Sequence, residues 1–148
     1  VGTGSGLIAA AMRKGARTIA TDINPHAAIA AQKAGVDVIR CNLLDPIRGK
    51  FDLVLFNPPY LPTESHERID DWLEYALDGG KSGRETLERF AADVKRVLAP
   101  GGRILILISS LTGPGEVKEL FATHGLHAEL VREEKVEDES LLVLRFTR

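Results

Sequence analysis

Val1-Gly2-Thr3-Gly4-Ser5-Gly6-Leu7-Ile8 opens the chain, a glycine-rich turn running directly into an apolar, alanine-rich segment. Glycines let backbone N–H groups approach a ligand closely, and the positive end of a following helix favours its anionic groups. The spacing is G-x-G-x-G. A dinucleotide site wants a third Gly or Ala one place later, where Leu7 stands, which argues against NAD and for a smaller nucleoside ligand. Such a turn is fed by a buried strand of about five residues. Only Val1 precedes it, so the expectation is one domain over residues 1–148, truncated at its N-terminus with the first strand largely missing.

Asp22 closes the next apolar run, Thr18-Ile19-Ala20-Thr21. An acidic residue at the end of the second strand, about 20 residues past the first glycine, is where a ribose is gripped by its two hydroxyls. The plainer account makes Asp22 the start of a helix entry, Asp22-Ile23-Asn24-Pro25. Asn24 as N-cap, with Pro25 at the first helical position, explains that entry without it. Asp22 is therefore expected to be free for the ribose.

Helix and strand signals then alternate. A first helix is expected from Ser5 to Arg13, stopped by Gly15, and a second from Pro25 to near Gly35. Val36-Asp37-Val38-Ile39 reads as a short strand and Phe51 to Phe56 as the next. Ile69, Trp72, Leu73 and Ala76 fall at helical spacing. Leu87, Phe90, Ala91, Val94 and Val97 mark an amphipathic helix running up to Pro100-Gly101-Gly102. Ile104-Leu105-Ile106-Leu107-Ile108 has no polar interruption, as a parallel strand covered on both faces should look. Val117, Leu120 and Phe121 define a last helix. Ala128–Arg132 and Leu141–Phe146 are strands joined only by the charged stretch Glu133 to Glu139, which predicts an antiparallel hairpin. The fold class is α/β: a Rossmann-like, doubly wound, mostly parallel sheet finished by that hairpin. Its ligands belong outside the carboxyl ends of the strands, so the glycine turn, Asp22 and the segment after Phe56 are expected on one rim.

That last segment is Asn57-Pro58-Pro59-Tyr60, at the end of the run Phe51-Asp52-Leu53-Val54-Leu55-Phe56. Methylation of a planar NH2 nitrogen, in an amide or a nucleobase, needs such a rigid rim. The nitrogen is a poor nucleophile because its lone pair is delocalised, so a protein can mainly hold it and aim it. The Asn57 side-chain oxygen and the Pro58 carbonyl would accept its two N–H bonds, and the Tyr60 ring would stack on the flat group. Both prolines fix φ near −65° and lack an N–H. A proline-stiffened turn with a buried tyrosine is the plain alternative.

Composition narrows the classes. With 19 basic and 21 acidic side chains the formal net charge is −2, so an extended Lys/Arg grip on duplex nucleic acid is disfavoured. Cys41 is the only cysteine, which excludes an intrachain disulfide and a cysteine metal cluster; no metal is expected. No apolar run approaches the length of a membrane span, and a cytoplasmic location is the expectation.

On Val1–Gly6, Thr21-Asp22-Ile23-Asn24-Pro25, Phe51–Pro62 and Asp78-Gly79-Gly80-Lys81-Ser82-Gly83-Arg84-Glu85, the chain resembles the class I S-adenosylmethionine-dependent methyltransferases. Within them it is similar to the HemK-like release-factor glutamine methyltransferases, in their archaeal and eukaryotic branch. Asn-Pro-Pro-Tyr is shared with adenine and guanine amino-methyltransferases, while the Leu-Pro extension and the Gly-Gly-x-x-Gly segment favour the glutamine branch. The resemblance implies that Gly2, Thr3, Gly4 and Gly6 shape the S-adenosylmethionine turn, that Asp22 binds the ribose hydroxyls, and that Asn57, Pro58 and Tyr60 position the glutamine amide, with Asn57 also against the cofactor. The family usually has an acidic residue for the adenine amino group where Asn42 stands here; an Asn oxygen can accept the same bond without charge. The implied substrate is a glutamine in the Gly-Gly-Gln loop of a translation release factor. The implied partner is a small zinc-binding activator protein covering an apolar sheet edge, for which Val36–Ile39 is the expected strand.

Transfer from an already activated sulfonium needs orientation and exclusion of water more than a base, so His26, His66, His124 and His127 receive no catalytic role. Two other readings stand beside this one. The same Asn-Pro-Pro-Tyr chemistry serves a nucleobase amino-methyltransferase acting on DNA or RNA, and a Rossmann-like chain without its first strand could be a non-catalytic subunit. A dehydrogenase is disfavoured by Leu7.

Overall fold

Helix signals and strand signals fold here in the order in which the sequence presents them. The computed structural model describes residues 1–63 and 71–148, which form two units, 1–47 and 48–148. Ile69 and His66 lie outside the described residues.

The first unit holds α1 (Leu7–Met12), β1 (Ile19–Asp22), α2 (Pro25–Lys33) and β2 (Asp37–Arg40). α1 starts two residues later than expected because Gly6, its N-cap, sits at φ 81°, outside the right-handed helical region. A Cβ at Gly6 would lie 2.7 Å from Ala31 Cα, so the turn meets α2 only where it carries no side chain. α2 begins as its sequence dictates, with the Asn24 side chain accepting the His26 N–H at 2.9 Å and Pro25 in the first turn. β1 and β2 pair in parallel from Ile19↔Asp37 to Asp22↔Arg40, α2 making the crossover between them. Val36, read as the first residue of β2, is instead a buried residue before it, its N–H bonded to the Ala31 carbonyl.

The second unit holds β3 (Phe51–Phe56), α3 (Trp72–Leu77), α4 (Glu85–Val97), β4 (Leu98–Ser109), a 3-10 turn at Ser110–Thr112, α5 (Pro114–Thr123), β5 (His127–Val136) and β6 (Glu139–Thr147). The sheet order is β3-β4-β6-β5, β3 parallel to β4 and the other pairs antiparallel. The α/β sheet closed by a hairpin is thus as expected, with differences in detail. β4 already starts at Leu98, because Pro100 drives the residue before it out of helical geometry. Ile104, Ile106 and Ile108 are fully buried, while Leu105 and Leu107 are only half-buried, so one face of β4 is sealed rather than both. Glu133 to Glu139 is no linker: Glu133, Glu134 and Lys135 pair with Leu142, Leu141 and Ser140, leaving Glu137 and Asp138 as the turn. Cross-strand pairing overrides the weak strand preference of these charged residues. Between Leu130 and Arg132 the register shifts, so Val131 forms a bulge in β5.

The core of this unit is a run of aromatic rings. Phe56 meets Phe90 at 4.6 Å between centroids, Phe90 meets Phe121 at 6.3 Å, and Phe121 stacks on Phe146 at 4.1 Å. Each apolar position read from the α4 pattern is buried. Its last carbonyls are closed by cations: Lys50 Nζ donates to Arg96 O at 2.6 Å, and Arg148 Nη2 to Lys95 O at 2.9 Å. The end of β3 is anchored by Phe56, one residue before Asn57.

Candidate functional site

In the first unit the candidate residues converge on the end of β1. Gly4 N–H donates to Asp22 Oδ2 at 2.8 Å, and Asn24 N–H to Asp22 Oδ1 at 2.9 Å. Thr3 N–H donates to the Thr21 carbonyl at 3.0 Å. The expectation that Asn24 leaves Asp22 free is therefore corrected: Asp22 already organises both the glycine turn and the helix entry. A carboxylate oxygen has two lone pairs, so each keeps room for a hydroxyl donor. Cys41 N–H bonds to the Asp22 carbonyl at 2.9 Å, which sets Asn42 beside Asp22 at the ends of adjacent parallel strands.

Leu43, next in the chain, adopts φ 49°, a left-handed conformation that costs a bulky residue roughly 1–2 kcal/mol. It carries no glycine to announce it, so the sequence could not show this turn. Burial, with the Asp45 carboxylate adding to it, pushes the Cys41 thiol above its usual range. A Cβ at Gly4 would meet nothing within 4 Å, so that face of the turn is open. The donor set suits a nucleoside: a carboxylate for a ribose diol, an amide beside it and an open glycine face.

In the second unit Asn57 is exposed, Pro58 buried, and Pro59 and Tyr60 half-buried. Among the described residues nothing hydrogen-bonds the Asn57 side chain. The loop is clasped where it leaves Tyr60: Leu61 N–H donates to Leu77 O at 3.0 Å, Gly79 N–H to Leu61 O at 2.9 Å, and Thr63 N–H to Gly80 O at 3.1 Å. Leu61 and Asp78 thereby form a short parallel bridge. His26 and His127 are exposed and His124 half-buried. Among the described residues no group of His, Cys, Asp and Glu could hold a metal ion, and no helix is long and apolar enough to cross a membrane.

No family model matches the chain. A protein of Methanocaldococcus jannaschii named as an N5-glutamine methyltransferase is 41% identical over 156 residues, spanning all of this chain and 79% of its own length. The human methyltransferase HEMK2 is 32% identical over 166 residues, spanning the whole chain and 76% of its own length. Among solved structures, the chain is similar to the Mtq2–Trm112 complex of E. cuniculi, responsible for methylation of the eRF1 translation termination factor. The TM-score is 0.79 at 27% identity, over 97% of this chain and 79% of that one. Those relatives span the glycine turn, the Asp22 strand end and the Asn-Pro-Pro-Tyr loop alike, and the chain belongs to the HemK-like family of S-adenosylmethionine-dependent release-factor glutamine methyltransferases.

Proposed function

We propose that the chain methylates the side-chain amide nitrogen of a glutamine in a translation release factor. The observation that carries this reading is the rigid loop at the tip of β3: an exposed Asn57 between the buried Phe56 and the buried Pro58. A flat amide held by two acceptors has its nitrogen aimed rather than deprotonated. The Asn57 oxygen and the Pro58 carbonyl take the two N–H groups, and the Tyr60 ring covers the plane. S-adenosylmethionine, when bound, supplies the activated methyl group. Asp22 would hold its ribose, Asn42 its adenine amino group, and Gly2, Thr3, Gly4 and Gly6 would shape the turn for it, and Asn57 would also bind it. On this reading residues 1–148 act as one methyltransferase domain. The proton is lost after transfer, when the methylated nitrogen has become acidic, so the chain needs no base.

A small zinc-binding activator protein is the partner proposed. β2 pairs with β1 alone among the described residues, and Ile39 on it is 39% exposed, leaving an edge that another chain can cover. The cytoplasm, where release factors act, is the compartment proposed.

The test is incubation with radiolabelled methyl donor, a release factor, and the release factor with its loop glutamine changed to Ala. Label in the first and none in the second is expected. Label that follows added nucleic acid instead would return the nucleobase reading, and failure to bind S-adenosylhomocysteine would return the non-catalytic one.

A further inference from the structure

We infer that Gly83 and Arg84 are positioning residues for the methyl transfer, the turn from Asp78 to Glu85 serving as the template that fixes the Asn57–Tyr60 loop. The inference rests on the role proposed for Asn57. Pro58 and Pro59 carry no N–H, so two of this loop's four residues offer no backbone donor, and contacts from outside weigh more in fixing it.

The turn that holds it is fastened at almost every residue. Gly80 N–H donates to Asp78 Oδ1 at 2.7 Å, Lys81 N–H to Glu85 Oε1 at 3.0 Å, and Arg84 N–H to Ser82 Oγ at 3.2 Å. Gly83 N–H closes onto Gly80 O at 3.0 Å, and Glu85 N–H onto Gly79 O at 2.9 Å. The turn then presses on the loop at one point. A Cβ at Gly83 would lie 2.7 Å from the Tyr60 carbonyl oxygen, and φ there is +68°, so only glycine fits. On the other side, Arg84 Nη1 donates to Thr112 O at 2.8 Å. That ties the turn to the 3-10 segment after β4, the strand paired with β3 at Phe56↔Ile106. The Asn57 loop is thus wedged by Gly83, and the wedge is pinned by Arg84 to the neighbouring strand's end.

In-line transfer is steeply sensitive to aim, a misplacement of about 1 Å costing on the order of 100-fold in rate. The test compares Gly83→Ala, Arg84→Ala and Arg84→Lys with the unaltered chain. It measures kcat and KM for a release factor, S-adenosylhomocysteine affinity by calorimetry, and thermal unfolding. Gly83→Ala should lower kcat by about 100-fold and Arg84→Ala by about 10-fold. Cofactor affinity should stay unchanged, and Arg84→Lys should recover most of the loss because its ammonium can still donate to the Thr112 carbonyl. If Gly83→Ala does not fold, the two Arg84 variants decide. Unchanged kcat in Arg84→Ala, or a loss that merely tracks its unfolded fraction, overturns the inference. Asn57→Ala separates the two levels. If it stays active, the premise about Asn57 fails; if it is inactive while Arg84→Ala is fully active, only the positioning role fails.

Discussion

Asp22 Oδ2 accepts the Gly4 N–H at 2.8 Å, so one carboxylate both shapes the glycine turn and stands where a ribose is expected. On the proposed function, one side chain would serve both structure and cofactor. Asp22→Asn replaces one acceptor oxygen with an NH2 group that opposes the Gly4 or Asn24 N–H. The expected cost is about 1–3 kcal/mol of stability, read in urea unfolding. A loss of at least about tenfold in S-adenosylhomocysteine affinity should accompany it, read by calorimetry. Unchanged affinity would remove Asp22 from the cofactor site.

Asn57→Ala should behave oppositely. Nothing among the described residues hydrogen-bonds this exposed side chain, so its removal should leave unfolding within about 0.5 kcal/mol of the unaltered chain. Turnover should vanish with cofactor affinity nearly intact. Ordinary activity would mean that the amide is held elsewhere.

Phe90 touches both Phe56 and Phe121 and is fully buried. Phe90→Ala should destabilise by about 3–5 kcal/mol, measured by denaturant unfolding. A smaller loss would show that the neighbouring rings collapse into the space.

Thr112 Oγ1 is buried without a hydrogen-bond partner. Thr112→Val fills the same space and removes an unsatisfied hydroxyl, so it should stabilise by about 1 kcal/mol. A lowered Tm would reveal that the hydroxyl does useful bonding.

The hydrogen bond from Arg96, at 2.7 Å, holds the Asp93 carboxyl below its usual range. A depressed carboxylate contributes stability that is fully present above its unfolded pKa of about 3.9 and is lost as pH falls through the lower folded value. The pair is more than a third exposed, so Asp93→Asn should cost no more than about 0.5 kcal/mol at pH 7 and less at about pH 3, below the unfolded value. Equal costs at both pH values would assign the effect to packing.

The sequence is legible where one local rule acts alone. Asn24-Pro25 starts α2 and the run Phe51 to Phe56 becomes β3 without adjustment, because capping and apolar runs need no distant partner. It misleads where pairing decides. Glu133 to Lys135 read as a linker, yet they are strand because β6 offers them a ladder. Leu43 at φ 49° has no sequence signal at all. Of the candidate site, the sequence did not show that Asp22 is already engaged by Gly4 and Asn24. Nor did it show what grips the loop after Tyr60, since both depend on backbone donors that every residue possesses.

The displaced residue Val131 has a bearing on life at high concentration. β5 is the outermost strand of its sheet, and a long flat margin would invite copies to stack edge to edge into fibrils. A kink at Val131, followed by the charged run Arg132, Glu133, Glu134 and Lys135, breaks the continuous template that such copies would need.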